Sequence, residues 1–306
     1  MRKHFCLIGI FILAFCLRII KLSQYPAGFT PDEAAPGYTA YSILKTGRDE
    51  WGMRFPLNPR SFGDFKPPLY TYLTIPSIAV FGLNEFAVRL PNALLGSLAV
   101  LIVYFLVNIL EGKTLALIAS LLLAISPWHI SLSRGAFEAN LSSFFLPLAV
   151  YLFIKSLKSP KYFLFSTFFF GLNLFTYHSA KLVTPLILFF LLFIYREEIK
   201  LIAQKSSKWF FLPGSLFLFL LFVVFGRLFT GAEVRASDIG IFSGGWQSVA
   251  DDRFFAVKQG LPEIFSRFFN NKLTFFLKEF TTNYFSYLSP QFLFTQGAGE
   301  ATYGMI

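Results

Sequence analysis

Asp32 and Glu33 stand together in the stretch TPDEAAPGY (30–38), just beyond the first apolar run of the chain. Lys66 lies directly before Pro67-Pro68, and Arg89 follows further along. A second polar stretch, SPWHISLSRGAFEANL (126–141), offers His129, Arg134 and Glu138, and a third, TYHSAKL (176–182), offers His178 and Lys181. A positioned carboxylate can take the proton of a hydroxyl as that hydroxyl attacks. A lysine or arginine can stabilise the negative charge that builds on a departing phosphate. Together the two suit displacement at a carbon that carries an anionic leaving group. Asp32, Glu33 and Glu138 are therefore candidate site acids, Arg89 and Arg134 are candidate site cations for a charged substrate, and Lys66 is a candidate phosphate contact at a helix N-terminus. Tyr38, His178 and Lys181 are candidate contacts to an acceptor or a phosphate. His129 and His178 have no H-x-x-x-H spacing, and Cys6 and Cys16 share one apolar run, which gives neither a disulfide framework nor a metal-ligand pattern. No metal is assigned and no cofactor is required; a divalent cation is compatible with the same chemistry.

Each residue also has a purely structural reading. Thr30-Pro31-Asp32-Glu33 is a helix start, with Thr as N-cap, Pro at the first position and the T-x-x-E pattern of a capping box. Gly47, after Lys45, supplies the stop, so a helix over 31–46 is expected whatever the function. Glutamine at position 33 would still complete the box, and Glu33→Gln is expected to change little. Asp32 is not needed for the box, although a carboxylate there favours the helix dipole. Lys66 could simply snorkel to the membrane interface. Arg134 and Glu138, spaced i, i+4, could form an intrahelical pair, and Arg89 could anchor a helix at headgroups.

These residues must be held by elements that sit in lipid. Of 306 residues, 55% are hydrophobic, 42 are Phe and only 14% are charged, with a mean hydropathy of +0.59. A soluble domain carries roughly 25% charged residues. The chain is thus read as an all-α polytopic membrane protein. Its net charge of +10 is the excess of Lys and Arg expected in cytoplasmic loops, and no nucleic-acid partner is inferred. Basic residues at 2–4 followed by the apolar run 5–17 resemble a signal peptide, but Arg18 and Lys21 replace a small-residue cleavage site, so this run is expected to remain as the first span.

Candidate spans are 5–20, 90–110, 114–130, 139–154, 162–177, 182–195 and 209–227. The run 68–82 is short and interrupted by Pro76. If it does not span, the cytoplasmic segments hold Arg2, Lys3, Lys113, Lys155, Lys158, Lys161, Arg196, Lys200, Lys205 and Lys208; if it does, they hold only Arg2, Lys3, Arg89, Arg134 and Lys181. The first arrangement satisfies the positive-inside rule, which makes 68–82 an interfacial helix. About seven transmembrane helices result, with the N-terminus inside and a long first extracytoplasmic loop over about 21–89. Residues 1–226 form the transmembrane domain. Residues 227–306 are expected outside, as an incomplete membrane-hugging segment rich in Phe and Tyr, and the end at GEATYGMI resembles a truncation.

The stretches TPDEAAPGYTAYSILKTG, GDFKPPLYTYL, FGLNEFAVRLPNALLGSLAVLIVY, SPWHISLSRGAFEANL and YLSPQFLF, in this order, resemble the GT-C glycosyltransferases. The nearest groups are the protein O-mannosyltransferase and aminoarabinose transferase families (glycosyltransferase family 39-like). The resemblance covers most of the chain, and its force lies in the order of the motifs. It implies a polyprenyl-phosphate sugar donor and an acid in the first outer loop that activates the acceptor. Carried over, that acid is Asp32 with Glu33 beside it, Lys66 holds the donor phosphate, Arg89 and Arg134 are further cations, and Glu138 is a second outer-loop acid. Family members continue for several more spans. The expected function is transfer of a sugar to a lipid, glycan or protein acceptor at the extracytoplasmic face of the plasma (inner) membrane. Two other classes compete. A transporter or flippase of lipid-linked sugars would place ionisable residues at mid-membrane or show repeated halves, whereas only Arg18 interrupts these spans and no repeat is evident. A membrane scaffold would give no reason for acids and cations to gather on one face.

Overall fold

The computed structural model describes residues 2–61, 64–205, 208–225 and 246–290. It is mostly α-helical and divides into two compact units, Met1–Ala232 and Glu233–Ile306.

The first unit begins with α1 (Arg2–Ile19), and α2 (Pro31–Thr46) then forms as its punctuation predicts. The Thr30 side chain accepts from the Glu33 backbone N–H, and the Glu33 carboxylate accepts in return from the Thr30 N–H at 3.2 Å. At the other end Gly47 takes the left-handed conformation (φ 69°) and its N–H closes on the Ile43 carbonyl. The loop beyond contains a minimal antiparallel hairpin, β1 (Arg60–Ser61) and β2 (Asp64–Phe65), paired Arg60 to Phe65. With an isolated antiparallel bridge between Arg48 and Arg54, it is the departure from an all-helical reading among the described residues.

Helix α3 (Leu69–Phe81) is separate from α4 (Glu85–Leu110): Gly82 has φ 76° and Asn84 caps the new helix by accepting from the Ala87 N–H. With 26 residues, α4 is about 39 Å long, more than the ~30 Å of a bilayer core. It is the central element, packed against α1, α3, α5 and α7. Five of its eleven buried positions are small (Ala87, Ala93, Gly96, Ser97, Ala99), which lets neighbouring helices approach closely there.

The run expected as a span over 114–130 is broken into α5 (Lys113–Ile125) and α6 (Pro127–Arg134), bent by 57°. Proline lacks the N–H to continue the ladder and pushes the preceding residue out of the helical region; Ser126 is extended (ψ 116°) and caps α6 instead. A 3-10 turn, Glu138–Leu141, leads into α7 (Ser142–Ser156), followed by α8 (Lys161–Asn173), α9 (Ala180–Ile194), α10 (Arg196–Lys205) and α11 (Lys208–Phe225). The α8 helix stops short of 177 because successive N–H groups at 174, 175 and 176 reach back only three residues, and the Thr176 hydroxyl bonds the Asn173 carbonyl. By length and apolarity, Glu85–Leu110 and Glu138–Ser156 can cross a membrane, with α5 plus α6 a third as a bent pair. Phe5–Ile19, Leu69–Phe81, Ala180–Ile194 and Pro213–Val223 are shorter apolar helices. Phe153, Phe170 and Phe217 join α7, α8 and α11 in one apolar cluster.

Chain reversals bring the ends of α1, α5 and α8 together with the starts of α2, α4, α7 and α9. Lys113, Lys155, Lys161 and Arg196 lie at the opposite ends of their helices, and Lys158 lies in the turn between α7 and α8.

In the second unit, helices Trp246–Lys258, Glu263–Phe269 and Lys272–Tyr287 are described. Phe276, Phe280 and Tyr284 stack at i, i+4 spacing along the last, which leaves Phe280, Tyr284 and Phe285 well exposed. The final part of the YLSPQFLF stretch and GEATYGMI lie outside the described residues.

Candidate functional site

Glu33 and Arg89 are candidates for a substrate site as well as for a helix cap and a headgroup anchor. The geometry gives them to each other. Both are buried, at 1% and 0% exposure, and the guanidinium grips the carboxylate through Nε (2.8 Å) and Nη2 (3.0 Å). Arg89 Nη1 donates to the carbonyls of Leu22 and Pro26, and Nη2 also donates to that of Gly28. The fork thus has all five donors engaged. Glu33 in turn accepts from the N–H groups of Thr30 and Ala136. One buried pair therefore ties α2, α4, the segment after α1 and the segment after α6 together. The close approach of α2 to α4 needs Gly37, where a Cβ would meet Val88 Cγ2 at 2.6 Å. Tyr70 of α3 is buried beside this pair and donates its hydroxyl to the Val88 carbonyl at 2.8 Å. Burial, and then the Glu33 and Glu138 carboxylates, push its pKa well up, so it remains a neutral donor.

Arg134 is likewise committed. Its two terminal nitrogens donate to the carbonyls of Leu17, Ile20, Lys21 and Tyr25, capping the end of α1. The i, i+4 pair with Glu138 does not form, because the helix stops at Arg134 and Gly135 is extended. Arg18, buried near the end of α1, donates to the carbonyls of Leu123 and Ala124 at the end of α5 and to His129 Nδ1 at 2.7 Å. An acceptor at Nδ1 puts the imidazole proton on Nε2, which faces Ser143 Oγ at 3.2 Å; Ser143 then donates to the Asn140 carbonyl. His129 is thus a hydrogen-bonder.

Asn92, which its residue type alone does not single out, fastens the segment that carries Glu138. Its amide nitrogen donates to the carbonyls of Leu132, Gly135 and Phe137, while its oxygen accepts from the Asn140 amide at 2.9 Å. Arg89, Asn92 and Gly96 are spaced i, i+3, i+7 and so share one face of α4. A polar pair on that stripe of an apolar helix was the available signal.

On this frame sits the cluster that remains. Lys66 Nζ lies 3.0 Å from Asp32 Oδ1 and 3.7 Å from Glu138 Oε1. The Asp32 side chain is 57% exposed, whereas those of Lys66 and Glu138 are 13% and 12% exposed. Asp32 comes from the first turn of α2, Lys66 from the residue after β2, and Glu138 from the 3-10 turn. The backbone of Lys66 is pinned to the Pro59 carbonyl (2.9 Å), and His178 Nε2 meets the neighbouring Phe65 carbonyl at 3.2 Å. His178 therefore reaches this cluster through its backbone. Lys181, in the first turn of α9, is part-buried. Tyr38 is 55% exposed on α2, about a third of a turn round the helix from Asp32. Among the described residues no group of three or more His, Cys, Asp or Glu side chains could hold a metal ion, and the positive charge that meets both site carboxylates is the Lys66 ammonium.

The fold is that of the GT-C glycosyltransferases. Two solved structures of the oligosaccharyltransferase of Archaeoglobus fulgidus, AglB, superpose with TM-scores of 0.56 and 0.55 at 18% and 17% identity, covering 96% and 94% of this chain. The family model for dolichyl-phosphate-mannose-protein mannosyltransferases matches residues 65–226, and the chain belongs to that family. Among curated proteins it is similar to YkcB of Bacillus subtilis (strain 168), whose name marks it a candidate mannosyltransferase, at 36% identity over 31% of this chain. An uncharacterised protein of Aquifex aeolicus (strain VF5) is 29% identical over 64% of it. The matched segments span only 13% and 38% of those two relatives, and the chain covers 38% and 40% of the two AglB chains.

Proposed function

We propose that this chain is the donor-holding part of a membrane glycosyltransferase that moves a sugar from a polyprenyl phosphate to a hydroxyl of a lipid, glycan or protein acceptor. The observation that carries this reading is the Asp32–Lys66–Glu138 cluster, where an ammonium and two carboxylates meet beside a bundle of apolar helices. The acceptor oxygen forms its bond to the anomeric carbon as the bond to the phosphate oxygen breaks. Asp32, the exposed acid, takes the acceptor proton. The phosphate leaves with the electron pair, and Lys66 stabilises its charge. No step needs a metal or other cofactor. Two names support the choice of donor and acceptor: the family description includes a dolichyl-phosphate mannose, and one AglB structure is a complex with a dolichol-phosphate and an inhibitory peptide.

The membrane arrangement we propose has about seven spans, some completed by polar end turns, with α3 along the interface. The cluster faces the extracytoplasmic side of the plasma membrane. The gathering of Lys113, Lys155, Lys158, Lys161 and Arg196 at the other ends of the helices supports that orientation. The test is purified full-length protein supplied with a panel of polyprenyl-phosphate sugars. Release of polyprenyl phosphate with one of them, together with a glycosylated acceptor, is the expected result. No release from any sugar with any acceptor class would overturn it.

A further inference from the structure

The cluster has a stoichiometry that the transfer chemistry does not require: one ammonium serves two carboxylates. The Asp32 contact, at 3.0 Å, has hydrogen-bond length, whereas the Glu138 contact, at 3.7 Å, is an ion pair beyond it. Glu138 is 12% exposed and enters a short 3-10 turn whose neighbours are fastened by Asn92 and Asn140. It is therefore a fixed acid rather than a mobile one. Lys66 is pinned at its backbone by Pro59 and, through Phe65, by His178. Its ammonium ends a four-carbon stem and is a point charge that accepts a new partner without a directional fork. A phosphate arriving at this point meets a cation already engaged by acids.

We propose that Glu138 is a positioning residue that competes with the donor phosphate for the Lys66 ammonium. Donor binding exchanges the Lys66–Glu138 and Lys66–Asp32 pairs for a Lys66–phosphate pair and leaves Asp32 without its cation, ready to accept a proton. This rests on the reading of Lys66 as the phosphate ligand, and it reassigns Glu138 from a proton-transfer acid to the counter-ion that parks Lys66 between turnovers. Its signature is a sign. Loss of a phosphate contact or of local structure weakens donor binding, whereas removal of a competitor strengthens it.

The experiment measures the affinity of detergent-solubilised full-length protein for farnesyl phosphate by isothermal titration. Glu138→Gln keeps the shape and removes the charge. It should tighten binding by about two- to fivefold, the range for relief of one partly screened ion pair. Asp32→Asn, at an exposed position where folding is not at stake, should tighten it in the same direction. Lys66→Ala should weaken binding by tenfold or more, and Glu138→Gln added to Lys66→Ala should have no further effect. Tightening in Glu138→Gln, present only with Lys66, supports the exchange. Unchanged or weaker binding in Glu138→Gln, with Lys66→Ala still weak, overturns it and leaves the phosphate ligand in place. Unchanged binding in Lys66→Ala alone overturns the ligand assignment and the exchange together.

Discussion

Asp32 and Glu33 are neighbours in the chain with opposite surroundings. One is exposed beside Lys66; the other is buried beneath four hydrogen bonds to Arg89, Thr30 and Ala136. Asp32→Asn should slow turnover by about 10²–10⁴-fold, the usual contribution of a positioned general base. Through the helix dipole alone it should cost no more than about 1 kcal/mol of stability. Turnover at matched amounts of folded protein checks this, and near-normal activity would reduce Asp32 to a cap neighbour. Glu33→Gln behaves differently from what the local pattern suggests. Glutamine completes the capping box but strands a buried guanidinium, and breaking such a pair costs about 3–5 kcal/mol. A large fall in the thermal midpoint in detergent is expected, and an unchanged midpoint would show that the pair is dispensable. The cap was legible because a box is written within four residues. The ion pair was not, because Glu33 and Arg89 are 56 positions apart, and local pattern carries no information on which distant cation an acid will meet.

Helix α4 shows the same limit one level up. Its apolar length announced a span, and its two ends fall close to the expected residues. That its first turns would act as a clasp for the α6–α7 connection depends on tertiary approach, seen at Gly96, where a Cβ would lie 2.2 Å from Ser133 Oγ and 2.7 Å from Ser133 Cβ. Rotation of the serine alone cannot relieve that contact. Gly96→Val should therefore push α6 off α4 and destabilise the protein by about 1–3 kcal/mol, read as a lower thermal midpoint. Asn92→Leu keeps the volume but leaves the Leu132 and Gly135 carbonyls without this donor, while that of Phe137 keeps the Asn140 N–H. Buried unsatisfied groups cost about 1–3 kcal/mol each. Since this segment carries Glu138, farnesyl phosphate affinity should change as well as stability, and a change in stability alone would separate Asn92 from the site. The break at Ser126–Pro127 was written in the sequence as a proline. The apolar run continuing on both sides concealed it, because periodicity measures greasiness and not direction.

At the scale of the first unit, Asp32, Glu33, Glu138, His129 and His178 lie at one end of the bundle, and Lys113, Lys155, Lys158, Lys161 and Arg196 lie at the other. Single cysteines at Ser179 and Lys158, on a background lacking Cys6 and Cys16, test how that polarity sits in the cell. An impermeant thiol reagent should label position 179 in intact cells and position 158 only after permeabilisation; the reverse pattern would place the site in the cytoplasm. The polarity was legible because counting basic residues needs no structure. The use made of them was not. Arg18, Arg89 and Arg134 each hold backbone carbonyls near the site. A guanidinium does not titrate in proteins, so these three clasps are permanent. The charge offered to an incoming phosphate is left to an amine, and amines can be acylated where guanidinium groups cannot. Mild treatment with an amine-selective anhydride should thus abolish donor binding while the clasps keep the thermal midpoint where it was.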